Sequence, residues 1–252
     1  MAKPNHIELG DGTIIPILFE DRAVLAIDKP AGWLLAPDSW DRTGRNLQLA
    51  LQSSLSAGDY WARSRNLKYL RFIHRLDADT SGVLLLAKSP GALRSFSELF
   101  ESRRIQKFYL AVVEGIPKQS NWTCRLHLSS KPGTVGQMKV DERHGKEAET
   151  SFRVLQTGQQ TALVEAQPTT GRTHQIRVHL AAAGHPALGD PFYNPKEIAK
   201  PKVGRVRLAL RAVKVIFPDP FQQRRIQIEA PAKDFMTQFG FSSDLKLEPK
   251  AL

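Results

Sequence analysis

The stretch HRLDADTSGVLLLA, residues 74–87, places a dense polar turn directly before a compact apolar run. The run at 82–87 is typical of a buried strand. The turn before it holds two carboxylates, Asp77 and Asp79. A polar turn between apolar runs is expected at a sheet edge or in a cleft. The residues alone fit either a functional site or a turn whose carboxylates cap backbone amides.

Two helices are predicted outside this stretch. Ser89 and Pro90 are typical of a helix start, and apolar residues recur at helical spacing through Phe100. The second helix is predicted at 173–183, with Gly184 as its terminator.

The rest of the chain is mostly short strand-like runs, several of them joined by short turns. The runs lie at 14–19, 23–27, 108–113, 152–155, 161–166, 213–217 and 226–228. Residues 129–146 are polar and basic and are predicted to form a mobile loop. This pattern predicts an α+β fold with a mixed, largely antiparallel sheet and flanking helices. We expect one domain at 14–240, with polar tails at 1–13 and 241–252.

Bulk composition restricts the class of protein. The chain has 252 residues, and 36 Lys and Arg against 25 Asp and Glu give a net charge of +11. Such a balance indicates either a polyanionic partner or a basic but inert surface. A single cysteine excludes an intramolecular disulfide and favours a reducing compartment. With no signal-peptide core and no apolar run of membrane-spanning length, we expect a cytoplasmic protein and no membrane contact.

Two further segments place polar residues where a sheet protein does not need them. In QKFYLAVVEG, residues 106–115, Tyr109 lies on the opposite strand face from Phe108, as a core aromatic also would. In GRTHQIRVH, residues 171–179, His174 and Arg177 share a helix face. The spacing of His174 and His179 is poor for metal binding, so we predict no metal site.

A carboxylate, a guanidinium and an aromatic ring are three parts of a possible catalytic site. An Arg beside an Asp favours the ionised carboxylate and orients it. An oriented carboxylate can act as a nucleophile, and an aromatic ring can stack on a nucleobase. Spacing along the chain alone does not bring the three parts together.

The order of these motifs resembles that of the RluA-type pseudouridine synthases, whose signature centres on HRLD-x-x-TSG. The likeness continues through LAIDKPAGWLLAP, QKFYLAVVEG, GKEAETSFRVL, GRTHQIRVHLAAAGHPALGDPFY and RLALRA. It spans about residues 18–230. The resemblance implies the pseudouridine synthase catalytic fold, with a central active-site cleft.

The resemblance also implies a role for individual residues. Asp77 matches the family's catalytic aspartate, Arg177 the arginine paired with it, and Tyr109 the tyrosine that stacks on the target uracil. The implied substrate-binding residues are Arg75, which would hold the everted nucleotide, Leu208, which would line the base pocket, and His74 and Thr80.

The implied activity is isomerisation of uridines in rRNA or tRNA to pseudouridine. It exchanges no electrons, so no cofactor and no metal are expected. Because the chain begins almost at the first motif, we expect it to lack the separate amino-terminal RNA-binding module of many relatives, and we therefore expect a monomer. Two basic runs are candidates for phosphate contacts. They are Lys131, Lys139, Arg143 and Lys146, and Lys196, Lys200, Lys202, Arg205 and Arg207.

Two departures and two alternatives remain open at this stage. The family usually has Asn-Lys-Pro where this chain has Asp28-Lys29-Pro30, and His where it has Arg211. One alternative is a non-catalytic RNA-binding protein on the same fold. The other is a glycosidase or nucleosidase, which normally needs two catalytic carboxylates and would use Asp79 beside Asp77.

Overall fold

A computed structural model of the chain describes residues 2–35, 45–134, 136–199, 206–222 and 224–243. Within these ranges the chain forms a sheet of twelve strands, together with six helices. The strands are β1 (His6–Glu8), β2 (Ile14–Glu20), β3 (Val24–Lys29), β4 (Arg71–Phe72), β5 (Ser81–Ala87), β6 (Gln106–Glu114), β7 (Asn121–Ser130), β8 (Met138–Val140), β9 (Lys146–Thr157), β10 (Thr161–Pro168), β11 (Leu210–Pro218) and β12 (Arg225–Glu229). The helices are α1 (Leu47–Ala57), α2 (Tyr60–Arg63), α3 (Pro90–Glu101), α4 (Gln175–Ala182), α5 (Pro195–Ile198) and α6 (Lys233–Gln238).

The order of strands in the sheet is β1-β2-β3-β5-β11-β6-β10-β9-β7-β8, with β12 paired to β11 and β4 to β5. Neighbouring strands run antiparallel, except that β5 and β11 pair in parallel. The α+β prediction of a mixed, largely antiparallel sheet is confirmed. β11 comes late in the chain but lies between β5 and β6, in the middle of the sheet.

Alternating side chains place a hydrophobic core on each face of the sheet. On β6, Tyr109 and Val113 contribute to one core and Phe108 and Val112 to another, as the alternation predicted. Helices α1 and α4 pack on the face that carries Tyr109, which we call the cleft face. Helix α3 covers the opposite face of β5. The described residues include no helix with both the length and the apolar character needed to cross a bilayer.

Gly82 is required by the close approach of β5 to β11. Its φ of +112° lies in a region that side chains with a Cβ rarely adopt. A Cβ at this position would overlap the backbone carbonyl of Ala212. The glycine that ends the TSG sequence therefore allows the two strands to pair directly after the polar turn.

Most predicted elements are present, but three expectations were wrong or incomplete. The segment predicted as a tail at 1–13 contains a strand, because β1 pairs with β2 and Ile7 is buried. Phe241 is also buried rather than part of a polar tail, while residues 244–252 lie outside the described ranges. The predicted loop at 129–146 contains β8 and the ends of β7 and β9, and helix α1 was not predicted.

Candidate active site

A cleft of about 380 Å³ opens on the cleft face of the sheet. Its walls come from the loop between β4 and β5, from β6, from the turn after β10 and from α4. Asp77, Tyr109 and Arg177 all line it, together with His74, Arg75 and Thr80. The structure therefore brings together six of the seven residues that were predicted to form the site.

Lys29, at the end of β3, holds the loop that carries Asp77. Its Nζ atom donates to the carbonyl oxygens of Ala78 at 2.7 Å, Thr80 at 2.9 Å and Pro30 at 3.0 Å. The side chain is fully buried, and burial lowers the pKa of Lys29 to about 8 against the opposing charges of Asp79 and Asp77. A buried ammonium thus connects the first strands of the sheet to the loop that carries Asp77.

Lys29 should make stability depend on pH above neutrality. The unfolded chain holds this proton up to about pH 10.4, whereas the folded protein releases it near pH 8. Between these values the unfolded state binds more protons, so raising the pH favours the folded state. The free energy of unfolding of the wild type minus that of Lys29→Met should therefore grow by up to about 1.4 kcal/mol per pH unit.

Urea denaturation of both proteins at about pH 7.5, about 8.5 and about 9.5 measures this difference. Burial also lowers the pKa of Lys107 to about 8. Lys107 is present in both proteins, so its contribution cancels from the difference between their free energies of unfolding. The control is Lys233→Met, which removes an exposed lysine and should show no such slope. A flat difference for Lys29→Met would show that Lys29 keeps its proton in the folded state.

The Asp77 carboxylate is held by one guanidinium, which a second carboxylate clamps from behind. Arg177 Nη1 donates to Asp77 Oδ2 at 3.3 Å. Its Nε and Nη2 donate to the two oxygens of Asp190, both at 2.8 Å. Asp190 is fully buried and Arg177 is 2% exposed, whereas the Asp77 side chain keeps 22% exposure toward the cleft. The pair predicted from the sequence is thus a triad of two carboxylates around one arginine.

Asp190 also organises the segment after it. Its Oδ1 accepts the backbone N–H groups of Phe192 and Tyr193, at 2.9 and 3.1 Å. Burial alone would lower the pKa of Arg177, but the hydrogen bonds and charge of Asp190, and then those of Asp77, raise it above its ordinary value. Arg177 is therefore a permanent cation with fixed geometry.

Strand β6 presents two polar side chains to the cleft. Tyr109 and Lys107 are two residues apart and therefore lie on the same strand face. Burial, followed by the charge of Asp77, raises the pKa of Tyr109, so its ring is a neutral phenol. Lys107 Nζ donates to the Thr170 carbonyl at 2.9 Å, which anchors the turn that leads into α4.

Three loop residues that were assigned to substrate binding have different surroundings. Arg75 is exposed at the cleft mouth, as contact with a nucleotide requires. His74 Nε2 accepts the Leu85 backbone N–H at 3.1 Å, and its ring stacks on Phe100, so it fixes the loop to β5. Burial, with the nearby charge of Lys107, lowers the pKa of His74 to about 3. Thr80 is buried, and its carbonyl accepts from Lys29.

Leu208 does not line the cleft as expected. It is buried in the core of the cleft face, two residues before β11 begins. The cleft wall is formed by Leu210, the first residue of β11. The apolar wall of the pocket thus comes from the segment RLALRA, as expected, but it is formed by Leu210 instead of Leu208.

His174 is a residue of the cleft that sequence reasoning did not assign to the site. Its Nε2 lies 3.9 Å from Asp77 Oδ2, and its Nδ1 lies 2.9 Å from the Tyr193 hydroxyl. Its ring stacks on Phe192 with centroids 5.7 Å apart. The motifs GRTHQIR and GDPFY contain these residues, but only the folded chain shows that they meet.

The described residues contain no group of three His, Cys, Asp or Glu side chains that could hold a metal ion. A glycosidase normally needs a second catalytic carboxylate in the cleft. Asp79 does not supply it, because it is absent from the described lining of the cleft. The chemistry that the arrangement offers is therefore that of one carboxylate beside a fixed guanidinium, facing an aromatic ring.

The two departures from the family pattern contact each other. Arg211 Nη2 donates to Asp28 Oδ2 at 2.6 Å, and its Nη1 donates to Ser81 Oγ at 3.1 Å. Their neighbours Ile27 and Leu210 belong to the core of the cleft face, so this ion pair lies on the opposite face of the sheet. The two departures therefore pair with each other on the face of the sheet away from the pocket.

This pairing predicts strong coupling between the two positions. Asp28→Asn and Arg211→His should each lower the free energy of unfolding, because each leaves a partly buried charge without its partner. The double variant should lose less than the sum of the two, with a coupling of about 1 to 2 kcal/mol. Thermal or urea unfolding of the four proteins measures it, and strictly additive losses would refute the coupling.

The comparisons with known proteins agree with this geometry. Residues 23–182 match the model of a family described as RNA pseudouridylate synthase. Ribosomal large subunit pseudouridine synthase C of Vibrio cholerae is 33% identical over 227 residues, which are 88% of this chain and 67% of that protein. The chain thus spans about two thirds of the length of the curated relatives named for the large ribosomal subunit.

Two further matches cover nearly whole proteins. An uncharacterized RNA pseudouridine synthase of Zymomonas mobilis is 34% identical over 228 residues, which are 89% of this chain and 97% of that protein. The solved structure of Human RNA Pseudouridylate Synthase Domain Containing 1 superimposes with a TM-score of 0.68 at 27% identity, covering 87% of this chain and 84% of that one. Sequence, sheet and cleft agree, and the chain belongs to the RNA pseudouridylate synthase family.

Proposed function

We propose that this chain is an RNA pseudouridine synthase that isomerises uridines in RNA with Asp77 as its nucleophile. The observation that carries the proposal is the Asp77 carboxylate, fixed by Arg177 and open to a cleft that Tyr109 also lines. Ribosomal RNA is the substrate class to test first, because the curated relatives are named for the large ribosomal subunit. Transfer RNA is the second.

A uridine must leave its base stack to reach this cleft. Flipping one nucleotide costs a few kcal/mol. Stacking of the uracil on Tyr109 and contacts of Arg75 with the phosphate would offset that cost. A volume of about 380 Å³ is ample for one pyrimidine nucleoside.

Asp77 would act on the nucleotide in one of three ways. It would attack the anomeric carbon, remove a neighbouring sugar proton, or attack the sixth carbon of the ring. All three routes need a carboxylate that is held in place, and Arg177 Nη1 holds Asp77 Oδ2 at 3.3 Å. The base then turns over and rejoins the sugar through carbon, so atoms and electrons balance without cofactor or metal.

The basic surface supports contact with the rest of the RNA. The first basic run lies on strands β8 and β9 and on the turns beside them. All of its residues are exposed: Lys131, Lys139, Arg143 and Lys146. In the second run, Lys200, Lys202 and Arg205 lie outside the described residues, and Lys196 pairs with Glu114. The proposal includes a monomer that acts in the cytoplasm, where ribosomal RNA is found.

Incubation of the protein with transcripts of large-subunit rRNA and of tRNA tests the proposal. Pseudouridine is mapped by carbodiimide modification and primer extension, and free uracil is assayed in the same reactions. Pseudouridine at a defined position supports the proposal. Released uracil would indicate a glycosidase, and tight binding without modification would indicate a non-catalytic RNA-binding protein.

A further inference from the structure

His174 adopts a backbone conformation that a residue with a Cβ rarely takes. It is the N-cap of α4 with a φ of +52°, and its side chain makes no capping hydrogen bond. Non-glycine residues in this region cost energy and cluster at functional sites. Here the strained residue places an imidazole in the cleft, where its Nε2 lies 3.9 Å from Asp77 Oδ2.

The hydrogen bonds around the ring indicate which nitrogen carries the proton. The Met138 backbone N–H donates to the Tyr193 hydroxyl oxygen at 2.8 Å. The Tyr193 hydroxyl has one other partner among the described residues, His174 Nδ1 at 2.9 Å, and we assign its O–H as the donor to that nitrogen. Burial lowers the pKa of His174 against the raising effect of Asp77, so the ring is neutral with its proton on Nε2.

Asp77 Oδ2 and His174 Nε2 together complement a hydroxyl group. The carboxylate oxygen only accepts, and the Nε2–H only donates, whereas a hydroxyl does both. Their separation of 3.9 Å is too long for a direct hydrogen bond. It admits an oxygen at about 2.7 Å from Oδ2 and about 2.9 Å from Nε2, which are ordinary hydrogen-bond lengths.

We propose that Asp77 and His174 bind the ribose 2′-hydroxyl of the target nucleotide and thereby select RNA over DNA. The hydroxyl donates to Asp77 Oδ2 and accepts from His174 Nε2–H, as recognition of a 2′-hydroxyl requires. Arg177 contacts the same Oδ2, and Oδ1 has no hydrogen bond to any of the residues that the structure describes, so it can reach the sugar or the base. This inference rests on the proposed function, and it makes His174 a substrate-binding residue.

The test compares two substrates and two enzymes. Short oligoribonucleotides carry the uridine mapped in rRNA or tRNA, either unaltered or as a single 2′-deoxyuridine. His174→Phe keeps a ring that can stack on Phe192 but removes the donor. We expect the preference in kcat/KM for the ribose target to fall about tenfold in the variant.

The preference ratio separates recognition from other effects. An intrinsic effect of the 2′-hydroxyl on reactivity acts in both enzymes and cancels from the comparison. A preference that falls by less than about threefold in a folded variant overturns the inference. Should His174→Phe not fold, Tyr193→Phe decides, because it frees Nδ1 to carry the proton and should also lower the preference. A wild type inactive on every RNA would instead refute the proposed function.

Discussion

Asp77→Asn should reduce pseudouridine formation at least about a thousandfold, while RNA affinity stays within about threefold. The amide has nearly the shape of the carboxylate, so the cleft and the stacking surface of Tyr109 are preserved. It carries no negative charge, so it cannot act as a nucleophile or as a base. The ion pair with Arg177 is weakened, but Asp190 still clamps the guanidinium in place.

Single-turnover assays of pseudouridine formation and filter binding of the same RNA measure the two quantities. The matched control is Asp79→Asn, which removes a carboxylate from the same loop. Asp79, unlike Asp77, is absent from the described lining of the cleft. We expect this control to keep turnover within about threefold. Near-normal pseudouridine formation by Asp77→Asn would refute its role, and a large loss in Asp79→Asn would revive the two-carboxylate alternative.

Asp190→Ala should lower the free energy of unfolding by about 3 to 5 kcal/mol and also reduce kcat. The substitution leaves the Arg177 guanidinium buried without its bidentate partner, and removing one member of a buried pair carries a cost of this size. It also removes the acceptor of the Phe192 and Tyr193 amides. Arg177 and His174 then lose their positions around Asp77, so kcat should fall more than affinity for RNA.

Urea denaturation and single-turnover kinetics measure the two losses. Arg125→Ala is the control, because it breaks the exposed Arg125–Glu149 pair and should change stability by no more than about 1 kcal/mol. Equal effects of the two substitutions would show that the buried triad is no more important than a surface ion pair. A stability loss with unchanged kcat would show that Asp190 supports the fold and does not position the site.

Local sequence signals predicted the elements whose periodicity is strong. Strand β5 and helix α3 were recognisable because an unbroken apolar run and a Ser-Pro start are local features. Strand β1 was mistaken for a tail because three residues give too short a pattern. Helix α1 was missed although Asn46 caps it, Leu47 and Leu51 lie on its buried face, and Gly58 follows its end.

The site was predictable only where the family pattern supplied it. The motifs gave Asp77, Tyr109 and Arg177 their expected roles. The pair of Arg177 and Asp190 was not predicted, because it joins residues 13 positions apart and depends on the geometry of their side chains. His174 lies in the motif GRTHQIRVH, yet its approach to Asp77 depends on a left-handed backbone angle. The Asp28–Arg211 pair spans 183 positions and is visible only when β3, β5 and β11 are side by side.

The late position of β11 has a consequence for the making of the protein. Asp77, Tyr109, Arg177 and Asp190 have all been translated before residue 210. Among the strands that the structure describes, however, only β11 lies between β5, which follows Asp77, and β6, which carries Tyr109. The nascent chain thus holds these four residues before the sheet around them can close, and we expect activity to appear only after β11 has been made.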